Sequence, residues 1–400
     1  MEKVYIIAAK RSAIGSFAGA LSTVAAPALG AAVARDVLEI AGVPANRLDE
    51  VIVGNILPAG CGQGVARQVA ILAGVPVEVP AWGISMACGS GMKAVMTAAA
   101  NIASGTGDLY LAGGTESMSL APYLLPGARQ GLRMGNKEVV DHMVYDALTD
   151  AFENIHMGIT AENIAKQYAI TREEQDAFAI ASQEKAIHAV DAGAFRAEIT
   201  PITIKSRKEE IVVDTDEYPN RKTSLEKLSS LKPAFLPGGT VTAGNASGIN
   251  DGAAFLLLAS ERAVKEFSLT PLAELIAWGQ GGVEPSVMGL GPVPAVRAAL
   301  KMAGLPLSDM QRIELNEAFA AQSLGVLKLL SEEHGVDQES LLSRTNKNGG
   351  AIALGHPVGA SGARIIVTLL SGLRAAGETT GLASLCIGGG MGTAVVLKSC

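Results

Sequence analysis

Apolar and polar positions along the chain repeat in an order that predicts the same elements twice. Around Ala34-Arg35 the pattern reads as a helix, stopped by Ala41-Gly42-Val43-Pro44 and followed by a strand at Glu50-Val51-Ile52-Val53. Around Val296-Arg297 it reads as a helix again, stopped by Ala303-Gly304-Leu305-Pro306 and followed by Arg312-Ile313-Glu314-Leu315. The offset is constant (304 − 42 = 262) and the match needs no gap. A second set of markers pairs Ser90-Gly91 with Ser361-Gly362, and Ala112-Gly113-Gly114 with Ile387-Gly388-Gly389. Met92, Val95, Met96 and Ala99 follow helical spacing until Gly105, as do Ile365, Ile366, Leu369, Leu370 and Leu373 until Gly377. Each helix leads to a short apolar strand, 109–112 or 382–387, that ends in glycines. The expectation is two similar α/β halves packed together.

The stretch 119–249 has no partner in this repeat and is richer in charge, with Arg129, Arg133, Lys137 and a run at 205–210. Its clear helix, 172–192, opens with Thr171 and Glu174 as a capping box. It reads as an insertion lying over the site. The divisions are 1–118 with 250–270, the insertion 119–249, and 271–400.

Composition agrees with a layered α/β chain. Apolar residues are 48%, aromatics 4%, and 46 glycines supply tight turns. A net charge of −7 disfavours nucleic acid as a partner. The amino terminus reads as a strand rather than a signal peptide, and apolar runs such as 253–259 are too short to span a bilayer. Four cysteines without a C-x-x-C pair argue against zinc, other metals and disulfides, and fit a reducing cytoplasm.

Three reactive side chains sit among glycines. Cys88, in Cys88-Gly89-Ser90-Gly91 before a helix, is the candidate nucleophile; the helix N-terminus is expected to lower its pKa. His356, in Gly355-His356-Pro357, could take its proton. Cys386 opens onto Gly388, Gly389 and Gly390, where a sulfur could act as acid or base beside oxyanion-binding N–H groups. Asn316 could hold a water or donate to an oxyanion; an ordinary loop asparagine is an equal reading. Gly89-x-Gly91-x-x-Ala94 matches a dinucleotide fingerprint only loosely, because no acidic residue follows at the right place. His142 and His334 read as surface residues.

Taken together, Cys88–Met92, Gly113-Gly114-Thr115-Glu116-Ser117-Met118-Ser119, 244–253, Asn316-Glu317-Ala318-Phe319, 348–357 and 386–392 resemble the thiolase family nearly end to end. The resemblance implies a five-layered α/β/α/β/α fold with a loop domain at the insertion. It makes Cys88 the acyl-accepting nucleophile, His356 its base and Cys386 the acid/base at the substrate α-carbon. One oxyanion pocket would be His356 with a water held by Asn316; the other, the N–H groups of Cys88 and Gly388. The segment starting His156-Met157-Gly158 resembles the short-chain biosynthetic branch, which condenses two acetyl-CoA to acetoacetyl-CoA and CoA; the alternative is the degradative branch, acting on longer 3-ketoacyl-CoA. His156, Met157, Phe235, Met288 and Phe319 would line the acyl pocket, Ser247 would meet the pantetheine arm, and Leu148, Ala243 and Ala318 complete the implied binding set. Arg221 would meet the nucleotide phosphates, although it stands one place later than the family's usual arginine, and Lys227 occupies a place often given to serine. Coenzyme A thioesters are substrates here, no cofactor is implied, and the family works as dimers or tetramers.

Overall fold

In a computed structural model describing residues 2–205 and 210–400, the repeat in sequence is a repeat of topology. The first half runs β1 (Val4–Ser12), α1 (Ala26–Ala41), β2 (Glu50–Gly54), α2 (Val65–Leu72), β3 (Ala81–Ile84), α3 (Ser90–Ala103) and β4 (Leu109–Ser117). An inserted segment carrying α4 (Met157–Gln167) and α5 (Arg172–Asp191) precedes its last strand, β5 (Asn250–Ser260). The second half follows as β6 (Ala273–Gly282), α6 (Pro292–Ala303), β7 (Arg312–Leu315), α7 (Ala320–His334), α8 (Val358–Ala376), β8 (Thr380–Ile387) and β9 (Met391–Ser399). Of the charged run in the insertion, positions 206–209 lie outside the described residues.

Strands order β3-β2-β4-β5-β1 in one half and β7-β8-β9-β6 in the other, and the halves join where β1 pairs with β6 at Tyr5–Glu274 and Ile6–Ala273. β2 is parallel to both β3 and β4, as β7 is to β8, and the remaining pairs in each half are antiparallel. Even an irregularity repeats: the register shift between Ile6 and Ala8 of β1 recurs between Leu275 and Ala277 of β6. Gly42 and Gly304 end α1 and α6 in the same left-handed conformation, φ 66°, which glycine adopts without Cβ strain.

Side chains of buried strands alternate between two cores. Along β5, Phe255, Leu257 and Ala259 face α1 and α2, while Ala254, Leu256 and Leu258 face α3 and α8. Along β9, Val395 and Leu397 share that same central core, and Ala394 and Val396 face α6 and α7. Helix pairs and sheets therefore stack as five layers, with α3 and α8 in the middle.

Two expectations change. β4 continues past Ala112 to Ser117 because Gly113 and Gly114 are strand residues at close approaches: a Cβ would lie 2.1 Å from the Ala254 and Gly359 carbonyl oxygens respectively. And α8, at 19 residues and mean hydropathy 1.2, is long and apolar enough to cross a membrane, yet 83% of it is buried between the sheets.

Candidate active site

The turn from β3 into α3 presents Cys88. Ala87 takes a left-handed φ of 41°, uncommon for a residue with a Cβ. Ser90 braces the turn: its Oγ accepts from the Met86 N–H and donates to the Ala87 carbonyl, both at 2.8 Å. Gly89 lets the turn press on the end of β8, since a Cβ would lie 2.3 Å from the Ile387 side chain. Gly91 brings α3 onto α8 in the same way, against Gly359 and Ala363. The two N-terminal ends of the central helices thus meet, and with them the turns bearing Cys88 and His356.

His356 follows Gly355, whose φ of 102° and closeness to Asn250 leave no room for a side chain. The His356 N–H donates to Asn250 Oδ1 at 2.9 Å, and Asn250 in turn donates to the Gly15 carbonyl. Ser361 Oγ donates its one proton to the Pro357 carbonyl, so the 2.6 Å contact with His356 Nδ1 is Nδ1–H donating to Ser361. That tautomer leaves Nε2 with a lone pair, buried and without a partner among the described residues. Burial, aided by the Arg364 charge, moves the imidazole down to about 3, so it rests neutral.

Cys386, at the end of β8, is buried. Burial, and the nearby Cys88 sulfur, push its thiol well up. Burial likewise pushes Cys88 up to about 11, against the pull of the Gly388 N–H and its own N–H on the sulfur. The expected lowering by the helix N-terminus is therefore corrected: loss of solvent outweighs the dipole. The resting site is thiol and imidazole, not thiolate and imidazolium. Asn316, at the end of β7, has both side-chain polar atoms buried and unpartnered among the described residues. An amide in that state costs roughly 1–3 kcal/mol until a water or substrate oxygen binds it.

An aromatic wall closes the other side. His156 stacks on Phe235 at 4.6 Å, and Phe235 meets Phe319 edge-on at 6.1 Å. Gly158 is obligatory beneath it, since a Cβ would lie 2.2 Å from the Phe235 ring. His156 Nδ1 accepts from the Gly158 N–H, which caps α4 and leaves Nε2 as the donor. Met157, Met288, Ala318 and Phe319 pack in one core with Cys386, and Leu148 packs in a smaller cluster beside Cys88. A Cβ on Gly388 would stand 3.7 Å from both Ala87 and the Met157 sulfur, so that glycine lies between the nucleophile turn and the acyl wall.

The family model for the N-terminal domain of thiolase matches residues 4–262, and that for the C-terminal domain matches 269–399. The chain belongs to the thiolase family. It is 54% identical over 398 residues to an acetyl-CoA acetyltransferase of Pseudomonas aeruginosa, covering 99% of each chain. One of Syntrophomonas wolfei is 50% identical over 399 residues, again covering 99% of each. Among solved structures, an acetyl-CoA acetyltransferase from Syntrophomonas wolfei superposes with TM-score 0.97 at 44% identity over the whole of both chains. Human mitochondrial 3-ketoacyl-CoA thiolase superposes at 0.94 with 42% identity, covering 100% of this chain and 99% of that one.

This thiolase keeps most of its sequence-implied site together. Ser247 donates its N–H to the Ala318 carbonyl at 2.9 Å, tying the implied pantetheine contact to the acyl wall. Ala243 and Arg221 line a separate, outer cavity of about 840 Å³. There Arg221 is spent on Asp191, donating to both carboxylate oxygens at 2.9 and 2.5 Å. His142 is not a surface residue: it is buried, 2.5 Å from Asp146. Three residues escaped sequence reasoning as site members: Ser361, Asn250 and Glu116. Buried Glu116 accepts N–H groups of Ile56, Leu57 and Gly359 at 2.9–3.1 Å, tying the loop after β2 to the start of α8. Burial still raises its carboxyl to about 7. All three stand inside or beside the motifs that carried the resemblance, which was their only signal.

Proposed function

We propose that this thiolase catalyses the reversible Claisen condensation of two acetyl-CoA to acetoacetyl-CoA and CoA through an acyl-cysteine. The observation that carries the reading is a buried Cys386 thiol close to a half-buried Cys88 thiol that the Gly388 N–H meets, with a neutral imidazole lone pair and an unpartnered amide, among the described residues, at hand.

In the first half-reaction Cys88 gives its proton to His356 Nε2 and its sulfur attacks the thioester carbonyl. The departing CoA sulfur takes the Cys386 proton. His356 is then an imidazolium and Cys386 a thiolate. In the second half-reaction the Cys386 thiolate removes the α-proton of a second acetyl-CoA, and the enolate carbon attacks the acyl group on Cys88. The tetrahedral intermediate expels the Cys88 sulfur, which recovers its proton from His356. A charged His356 with a water on Asn316 suits the enolate oxygen, and the Cys88 and Gly388 N–H groups suit the tetrahedral one; each such donor is worth on the order of 3 kcal/mol.

The short-chain branch is favoured by the tight wall of His156, Phe235 and Phe319, and by the names of the relatives just given. The degradative reading draws on the likeness to the human mitochondrial enzyme. Thiolytic cleavage of acetoacetyl-CoA against a long-chain 3-ketoacyl-CoA decides between them: preference for acetoacetyl-CoA is expected, and equal or better cleavage of the long chain would move the protein to the degradative branch. We place the enzyme in the cytoplasm as a homo-oligomer. The edge of β3, unpaired among the described residues and with Trp82 exposed, supports self-association, which light scattering checks.

A further inference from the structure

A second cavity, of about 450 Å³, lies where α5 of the insertion meets α7 of the second half, and the mechanism above does not use it. That volume falls in the range of roughly 300–1,000 Å³ that suits a small molecule. Its walls are partly exposed apolar side chains: Phe178 and Ala181 of α5, Leu324 of α7 and Leu342 of the short helix Gln338–Arg344. Its floor is polar and buried: Ser182, Glu317 and Asn346. Glu317 accepts from Ser182 Oγ at 2.6 Å, from Asn346 Nδ2 at 2.8 Å and from the Ile352 N–H at 3.3 Å. Ser182 also accepts the Gly350 N–H, and Asn346 bonds both the N–H and the carbonyl of Leu315, at 2.9 and 2.7 Å. The floor therefore holds the strand end that carries Asn316 and the segment that leads to His356, the two groups assigned to the enolate oxygen.

One cation lines the cavity, the half-buried Lys185, whose Nζ reaches only the Thr345 carbonyl, at 3.4 Å, among the described residues. An ammonium with free donors beside apolar walls matches a carboxylate that carries an apolar tail. Glu174 and Glu339 stand at the exposed edge of the same cavity, so a polyanion such as coenzyme A is repelled and a single negative charge is admitted. We propose that this cavity is an effector site for a medium-chain aliphatic carboxylate, whose head pairs with Lys185 and whose binding slows the enzyme by loosening the Glu317 clamp. Burial raises the Glu317 carboxyl, and its hydrogen bonds and the Lys185 charge oppose that rise. A ligand that takes over Lys185 removes part of that opposition and weakens the carboxylate as an acceptor. Binding at the cavity stands apart from the function proposed above, whereas the effect on turnover rests on it.

Calorimetric titration of octanoate, octanol and octyl phosphate into the intact enzyme tests the site, for the wild type, Lys185→Gln, Lys185→Arg and Ala181→Phe. Octanoate should bind the wild type more tightly than the other two. Lys185→Gln should weaken octanoate about three- to tenfold and leave octanol unchanged; Lys185→Arg should restore it, and Ala181→Phe, which fills the cavity, should abolish it. In the thiolysis of acetoacetyl-CoA, with each variant referred to its own rate without ligand, saturating octanoate should lower the wild-type kcat about five- to tenfold with little change in KM. Absence of binding, equal binding of octanol or octyl phosphate, or indifference to both Lys185→Gln and Ala181→Phe overturns the site. Inhibition competitive with acetoacetyl-CoA overturns it too, by putting octanoate in the acyl pocket, and binding that leaves kcat untouched overturns the effector role. An enzyme that cleaves no 3-ketoacyl-CoA at all would refute the thiolase reaction proposed above, and the calorimetry would then decide the site alone.

Discussion

His356 and Cys88 start their reaction uncharged, and this has a measurable signature. With burial holding the thiol near 11, alkylation of Cys88 by iodoacetamide should climb with pH throughout the neutral range and show no plateau below about pH 9, because the thiolate fraction keeps rising. An inflection near 6.5 would mean a thiolate–imidazolium pair at rest. Ser361 fixes which imidazole nitrogen is free, so Ser361→Ala should slow acylation by Nε2 about 10- to 100-fold while the protein stays folded; rapid-quench trapping of the acyl-enzyme measures this, and an unchanged rate would remove Ser361 as a positioning residue. Cys386→Ala should still acylate on Cys88 but fail to condense, which mass spectrometry and product assay separate. The proposed nucleophile, base and second thiol drew notice in the sequence because each sits among glycines or beside a proline that hold a tight turn. Ser361, Asn250 and Glu116 were not, because each acts through a partner that only the fold brings near: Asn250 is 106 positions from His356, and Glu116 is 243 from Gly359.

At the scale of elements, small residues set how closely the layers approach. Gly114 of β4 faces the start of α8 with no space for a methyl group. Gly114→Ala should cost about 1–3 kcal/mol through forced separation of strand and helix, read as a lower denaturation midpoint; a variant as stable as the wild type would show that the contact yields freely. The same glycines explain why the strand outran its sequence reading. Glycine in a chain usually marks a turn, and nothing local distinguishes a stop from a close approach. Helices were read more faithfully: the capping box at Thr171–Glu174 is formed as expected, and α5 ends within a residue of its assigned limit.

For the whole molecule, the inserted segment is fastened to the core by buried charge. Arg11 of β1 donates to Glu198 at 2.6 Å and to both oxygens of Asp216 at 2.7 and 2.8 Å, and Thr368 of α8 donates to Glu198 as well. Removing the guanidinium with Arg11→Met leaves two carboxylates uncompensated and should destabilise by roughly 3–5 kcal/mol, seen as a marked drop in melting temperature; a small drop would mean water replaces the arginine. None of this was legible in sequence, since a lone arginine in a first strand gives no hint of partners 187 and 205 positions away. The duplication was legible, because a repeated order of helix, glycine stop and strand survives even where side chains have diverged.

The central place of α8 also bears on how the chain is made. α8, which with α3 covers the inner face of the first sheet, is synthesised after the whole of the first half. Until it arrives, Ala254, Leu256 and Leu258 are covered by α3 alone, and a half-made chain leaves part of an apolar sheet open to the cell. The two halves share one pattern, yet neither buries its central face alone: the first sheet reaches full cover only when a helix of the second half packs on it.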